Sequence, residues 1–291
     1  MLVGFPPGGS VDILARLVVE QMRDRAPQLI VENRAGAGGR LALEALRHSP
    51  PDGQTLLLTP SDPITFSPHV RRTTLYRAME DYVPVAMVAA APFIIAVGPA
   101  VPADVTSVDQ FAAFCRARPR IATFGTPGSG SRPHFIGAML AKSERFEFTH
   151  VPYNGAAAAI QDMIRGEIAA SVTTIANILP HIQAGTARAL VTTGRRRNTA
   201  LPSTPTIGEA GHPDLEVIEW FGIMAPPKTT PAILEISRAA AEQAIGSEAF
   251  RKGLMALSFE AETGDPGGLA AAIQAETERW GAIIQASGFA P

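Results

Sequence analysis

The stretch FPPGGSVDILAR, Phe5 to Arg16, follows the apolar pair Leu2 and Val3 almost at the start of the chain. Leu2, Val3 and Phe5 suit a strand. Gly8 and Gly9 permit backbone dihedrals closed to other residues, and Ile13, Leu14, Leu17 and Val18 then recur at helical spacing. The stretch therefore predicts strand, tight turn and helix. A helix that begins in such a turn points its first N–H groups into it, and those donors, with the positive end of the helix dipole, attract an anion. A plain capped helix is the other reading, with Ser10 as N-cap and Asp12 favoured by the dipole. Two sharper motifs fail here. A phosphate-binding loop closes on Gly-Lys-Ser/Thr, and a serine nucleophile elbow needs glycine where this window has Asp12.

Working outward, 291 residues suffice for one large domain or two ordinary ones, and 46% hydrophobic with 18% charged residues is a folded, soluble composition. A formal net charge of -2 leaves no electrostatic footprint for nucleic acid or an anionic membrane. Arg195, Arg196 and Arg197 read as a solvated turn. Cys115 is the only cysteine, which excludes an intrachain disulfide, and its apolar neighbours Phe111, Ala112 and Phe114 make it a small buried side chain. His48, His69, His134, His150, His181 and His212 show no pairing at helical ligand spacing, so neither a metal site nor a cofactor is expected. Val83 to Ala103 carries no charge, but Pro84, Pro92, Pro99 and Pro102 are expected to cut it into one or two buried strands with turns, not a membrane span.

Strand-like segments alternate with helical ones throughout, the sign of an α/β fold with mostly parallel sheet. Strands are expected at 28–31, 55–59, 94–97, 121–124, 148–151, 169–173 and 217–225. Helices are expected at about 41–47, 107–118, 135–143, 156–165, 231–245 and 266–286. The loop GTPGSGSRPH, 125–134, repeats the glycine-rich strand-to-helix arrangement in a second α/β unit. The chain is expected to form lobe one from 1–98 plus 220–291 and lobe two from 99–219, with two crossings, as a hinge-bending binding protein requires. The two glycine-rich loops are then expected to face a shared cleft.

In this order, FPPGGSVDILAR, VENRAGAGG (31–39), SPPDGQTLLLTPSD (49–62), GTPGSGSRPH, VPYNG (151–155), LPHIQAGTARALVTTGRRR (179–197) and LPSTPTIGEAG (201–211) resemble the Bug family, the TctC-like substrate-binding proteins of tripartite tricarboxylate transport systems. The resemblance covers nearly the whole chain. It implies a type II periplasmic binding protein that encloses a small carboxylate between two α/β lobes, acts as a monomer without catalysis, and delivers its ligand to membrane transporter subunits. Family members normally carry a signal peptide; none precedes Leu2, so periplasmic placement rests on the resemblance, and the chain reads as trimmed or started late.

Carried over residue by residue, the resemblance assigns ligand contacts to Pro7, Gly8, Gly9 and Asp12, then to Ser61 and Asp62. From the second lobe it assigns Thr126, Gly128, Ser129, Gly130, Ser131 and His134, with Pro152, Tyr153 and Gly155 beyond the next strand. His134 also reads as a helix-start residue bonding its own loop. Departures from the family are Asn154 in place of lysine, and Ala169, Thr173 and Thr174 where aspartates are frequent, which favours a plain carboxylic acid over a cationic amino acid. Arg132 reads as an exposed loop residue or as a clamp for a second carboxylate. Two other readings stay open: an enzyme using the same cleft, for which no nucleophile–base pair is recognisable, and a sensor serving a signalling partner.

Overall fold

The computed structural model describes residues 1–24, 28–70, 76–260 and 266–290. In chain order the strands are β1 (Leu2–Val3), β2 (Glu32–Asn33), β3 (Leu57–Pro60), β4 (Val83–Val97), β5 (Thr123–Thr126), β6 (Thr149–Pro152), β7 (Ala170–Thr174), β8 (Arg188–Thr192) and β9 (Ile218–Ala225). The helices are α1 (Ser10–Gln21), α2 (Arg40–Arg47), α3 (Asp62–Thr65), α4 (Ser67–Val70), α5 (Ala78–Asp81), α6 (Val108–Ala117), α7 (Arg132–Ser143), α8 (Ala156–Arg165), α9 (Ile175–Gln183), α10 (Pro231–Gly246), α11 (Glu248–Ala256) and α12 (Pro266–Ser287). Among the described residues no helix is long and apolar enough to cross a membrane.

The chain divides into two compact units, Met1–Ala90 with Trp220–Ala290, and Ala91–Glu219. In the first, strand order is β2-β1-β3-β9-β4. β1 pairs in parallel with β2 and β3, and β9 runs antiparallel to β3 with Leu57 opposite Met224. α1 buries Val11, Leu14, Ala15, Val18 and Val19, the apolar stripe that its helical spacing produces, and packs on α10 and α11. In the second unit β7 and β6 flank β5 in parallel, while β4 runs antiparallel to both β7 and β8.

Several expected elements differ. Val83–Val97 is a single strand that its prolines do not cut. Pro92 stands just before the ladder to β7, which begins at Phe93, so its missing N–H removes no rung of that ladder. The division between units thus falls inside β4, after Ala90, and not at the end of the strand near 98. No strand forms over 28–31; pairing with β1 begins one step later, at Glu32. The C-terminal part has three helices instead of two, because Ser247 caps a separate α11 by accepting from the N–H of Phe250. Pro291 lies outside the described residues.

Candidate functional site

In the first unit β1 ends in the turn Phe5–Gly9, and α1 begins directly behind it. The N-cap is Gly9, with φ −78° and ψ 165°, and not Ser10. Gly9 therefore has ordinary extended geometry; the glycine that the turn requires is Gly8, at φ 81° in the left-handed region. Val11 and Asp12 follow in the first turn, where an N–H has no intrahelical acceptor.

Asp12 braces this turn from within. Its carboxylate, 2% exposed, accepts from the Gly8 N–H at 2.9 Å, from Arg16 Nε at 2.9 Å and Nη2 at 3.0 Å, and from Asn33 Nδ2 at 2.8 Å. Asn33 also donates to the Phe5 carbonyl at 3.1 Å, closing the other side of the turn. Burial acts to raise the Asp12 pKa, but the bonds from Arg16, Gly8 and Asn33 and the Arg16 charge outweigh it and hold the group below the usual carboxylate range. Sequence reasoning missed Arg16 and Asn33 as positioning residues. The aspartate–arginine pair at i, i+4 was a legible signal for the first.

Beyond β3, Ser61 and Asp62 are buried in the same unit. The Ser61 N–H donates to the Trp220 carbonyl at 2.8 Å, and Ser67 Oγ donates to Asp62 Oδ1 at 3.0 Å. Pro7 and Gly8 are exposed. A hollow of about 450 Å³ in this unit, lined by Met22, Leu29, Leu56, Ile236 and Ala240 among others, includes none of the expected ligand residues.

In the second unit the corresponding loop runs from Thr126, the last residue of β5, to Arg132, the first of α7. Two of its hydroxyls, those of Thr126 and Ser131, turn onto the loop's own backbone. Thr126 Oγ1 donates to the Gly128 carbonyl at 2.9 Å, and Ser131 Oγ donates to the same oxygen at 2.7 Å. Ser131 Oγ also accepts from the His134 N–H at 3.5 Å as the N-cap of α7. A hydroxyl has one proton, so the expected ligand hydroxyls at 126 and 131 are committed as donors to their own loop. In a planar trans peptide the N–H points opposite to the carbonyl, so holding Gly128 O inward turns the Ser129 N–H the other way.

Two histidines support this loop from below. Gly130 N–H donates to His134 Nδ1 at 3.3 Å, the bond within its own loop that the alternative reading of His134 describes. Because the Thr126 proton goes to Gly128, the 2.7 Å contact between Thr126 Oγ1 and His150 Nε2 is a bond donated by the imidazole. Burial, with a further push from His150, lowers the His134 pKa to about 3, and burial lowers that of His150 to about 4, so both rings are neutral near pH 7. Gly137 lets α7 lie against this pair's neighbour Phe124: a Cβ there would meet the ring at 2.3 Å. After β6, Pro152 is exposed, Gly155 is the N-cap of α8, and Tyr153 donates its hydroxyl to Asp162 at 2.7 Å. Thr173 and Thr174 accept from Asn177 at 2.9 and 3.0 Å.

Arg132 is not an exposed loop residue. Its side chain is 0% exposed and lies 3.6 Å from Glu219, itself 3% exposed. The guanidinium is buried because a counter-charge from β9 meets it, which no local pattern announces. Arg195, Arg196 and Arg197 are exposed, and Cys115 is buried with its thiol pushed up to about 12, mainly by desolvation.

One constellation bears on catalysis. Ser143 Oγ lies 3.1 Å from His212 Nδ1, and His212 Nε2 lies 3.0 Å from Glu144 Oε1. Ser143 ends α7, however, and a helix end presents carbonyl acceptors, the opposite of what an oxyanion needs. Among the described residues no group of three or more His, Cys, Asp or Glu is placed to hold a metal.

Each of the two α/β units thus starts a helix from a glycine-rich strand end. Residues 14–289 match the family described as tripartite tricarboxylate transporter family receptor, TctC, and the chain belongs to that family. It is 32% identical to the protein BugT of Bordetella pertussis over 99% of this chain and 88% of that one. It is 33% identical to a UPF0065 protein from the tcbD-tcbE intergenic region of Pseudomonas sp. over 97% and 84%. Among solved structures, the Rhodopseudomonas palustris protein MatC with bound malate has a TM-score of 0.89 at 27% identity, covering 97% of each chain. The R. palustris protein Rpa4515 with adipate has a TM-score of 0.93 at 30% identity, covering 100% of this chain and 97% of that one. The family is one of receptors for tripartite tricarboxylate transporters.

Proposed function

We propose that this chain is an extracytoplasmic solute-binding protein that captures a small carboxylate, as a monomer and without turnover, and presents it to the membrane subunits of a tripartite tricarboxylate transporter. The observation that carries the reading is the head of α1. Asp12, Arg16 and Asn33 hold the Phe5–Gly9 turn from behind, so the first-turn N–H groups meet an anion with a preformed backbone and no lysine. In the second unit the Thr126–Ser131 loop offers an anion its backbone, since the hydroxyls of Thr126 and Ser131 are engaged internally. Malate in MatC and adipate in Rpa4515 support a carboxylate of this size.

The energetics suit reversible capture. A hydrogen bond to a charged group contributes about 1.5–3 kcal/mol, and micromolar binding requires about 8 kcal/mol net, so several neutral donors suffice. Such a ligand is released more readily than one locked to a buried cation.

Calorimetry and thermal melting with adipate, malate and their amides test the reading. The acids should raise Tm by mass action and the amides should do so less, because they bring no charge to the helix head. Folded, ligand-free protein that responds to no acid in a broad panel overturns carboxylate capture. Turnover of an acid at catalytic protein concentration supports the enzyme reading instead.

A further inference from the structure

Arg132 occupies a position that local physics disfavours twice. It is a cation in the first turn of a helix, where the macrodipole prefers an anion, and it is wholly buried, which charged side chains tolerate only when paired. Glu219 supplies the pairing, with Oε1 3.6 Å from Nη1, and stands on β9 at the last residue of the second unit. The buried guanidinium therefore begins the helix that follows the Thr126–Ser131 loop, and its charge is offset from a strand far away in sequence.

Resting on the carboxylate reading above, we propose that Arg132 and Glu219 are a charge-balancing pair that sets how strongly this loop attracts an anion. In a weakly polarisable interior a unit charge acts across several ångströms. Arg132 pulls a carboxylate toward the loop and Glu219 opposes it, so the neutral backbone donors decide the affinity. Arg132 is thus a positioning residue for the ligand charge and touches no ligand atom.

Calorimetric titration with adipate, at fixed ionic strength, tests this with three variants. Glu219→Gln removes the carboxylate that faces the guanidinium and should tighten binding about tenfold or more, and Arg132→Met should weaken it comparably, as expected for a change of one unit charge near the site. The double variant Arg132→Met/Glu219→Gln removes both charges, a change that buried pairs often tolerate. It should bind within about threefold of wild type, the difference expected when net charge alone matters. If Glu219→Gln fails to fold, the double variant decides: a folded double variant more than tenfold weaker overturns the proposal, because Arg132 would then contact ligand or shape the loop. If wild type takes neither adipate nor malate, the carboxylate reading fails by itself, and millimolar sulfate still tests the pair through Tm. A larger sulfate shift in Glu219→Gln than in wild type and the double variant supports it; equal shifts overturn it.

Discussion

The imidazole rings of His134 and His150 lie stacked, 3.6 Å between centroids and 14° from parallel, and each holds one point of the same loop, Gly130 N–H and Thr126 Oγ1. Their pKa values fall from 6.5 to about 3 and about 4 on folding. As pH drops below 6.5 the unfolded chain binds protons first, so the stability contributed by the neutral pair is complete above 6.5 and is lost progressively toward pH 4. The loss approaches about 1.4 kcal/mol per pH unit per histidine. Urea denaturation at pH 7 and pH 4.5 should show it, and His134→Gln should flatten the slope. A slope unchanged by that substitution would count against the pair as its source.

The brace at Asp12 should matter more than its exposed partner. Asp12→Ala removes four accepted bonds and should cost about 2–3 kcal/mol, the range for bonds to a charged group. Arg16→Ala should cost less, since the arginine side chain is 54% exposed and its pair is screened by water. Denaturant midpoints of the two variants check the order.

The two glycines of the turn should separate stability from binding. Gly8→Ala places a side chain at φ 81° and should cost roughly 1–2 kcal/mol although the space around it is open. Gly9→Val is compatible with φ −78°, and a Cβ there meets only the Pro6 carbonyl at an ordinary 3.6 Å. It should fold normally and weaken adipate binding by crowding the first-turn donors. Melting curves with and without adipate distinguish the two effects.

Ser131→Ala should act through the helix and not through a lost ligand hydroxyl. The substitution removes the N-cap of α7 and should cost about 0.5–2 kcal/mol of stability. Adipate affinity should fall little when compared with the folded fraction corrected. A large loss of affinity at unchanged stability would restore Ser131 as a direct contact.

What could be read from the chain alone was local or ordered. The helical spacing of Ile13, Leu14, Leu17 and Val18, the glycines that end β1 and β5, and the family order of seven motifs all lie within short windows, where backbone sterics and periodicity act directly. The uninterrupted β4 did not show, because a proline breaks a strand only where its N–H owes a bond, and that depends on which strand lies alongside. The inward hydroxyls of Thr126 and Ser131 and the burial of Arg132 were equally out of reach. Whether a polar group faces ligand, its own loop or a buried counter-charge is decided by partners such as Gly128 O, two residues from Thr126 and three from Ser131, and Glu219, far along the chain. Only the tertiary fold brings Glu219 within 3.6 Å of Arg132, since burial of a charge is tolerable only after its partner has arrived.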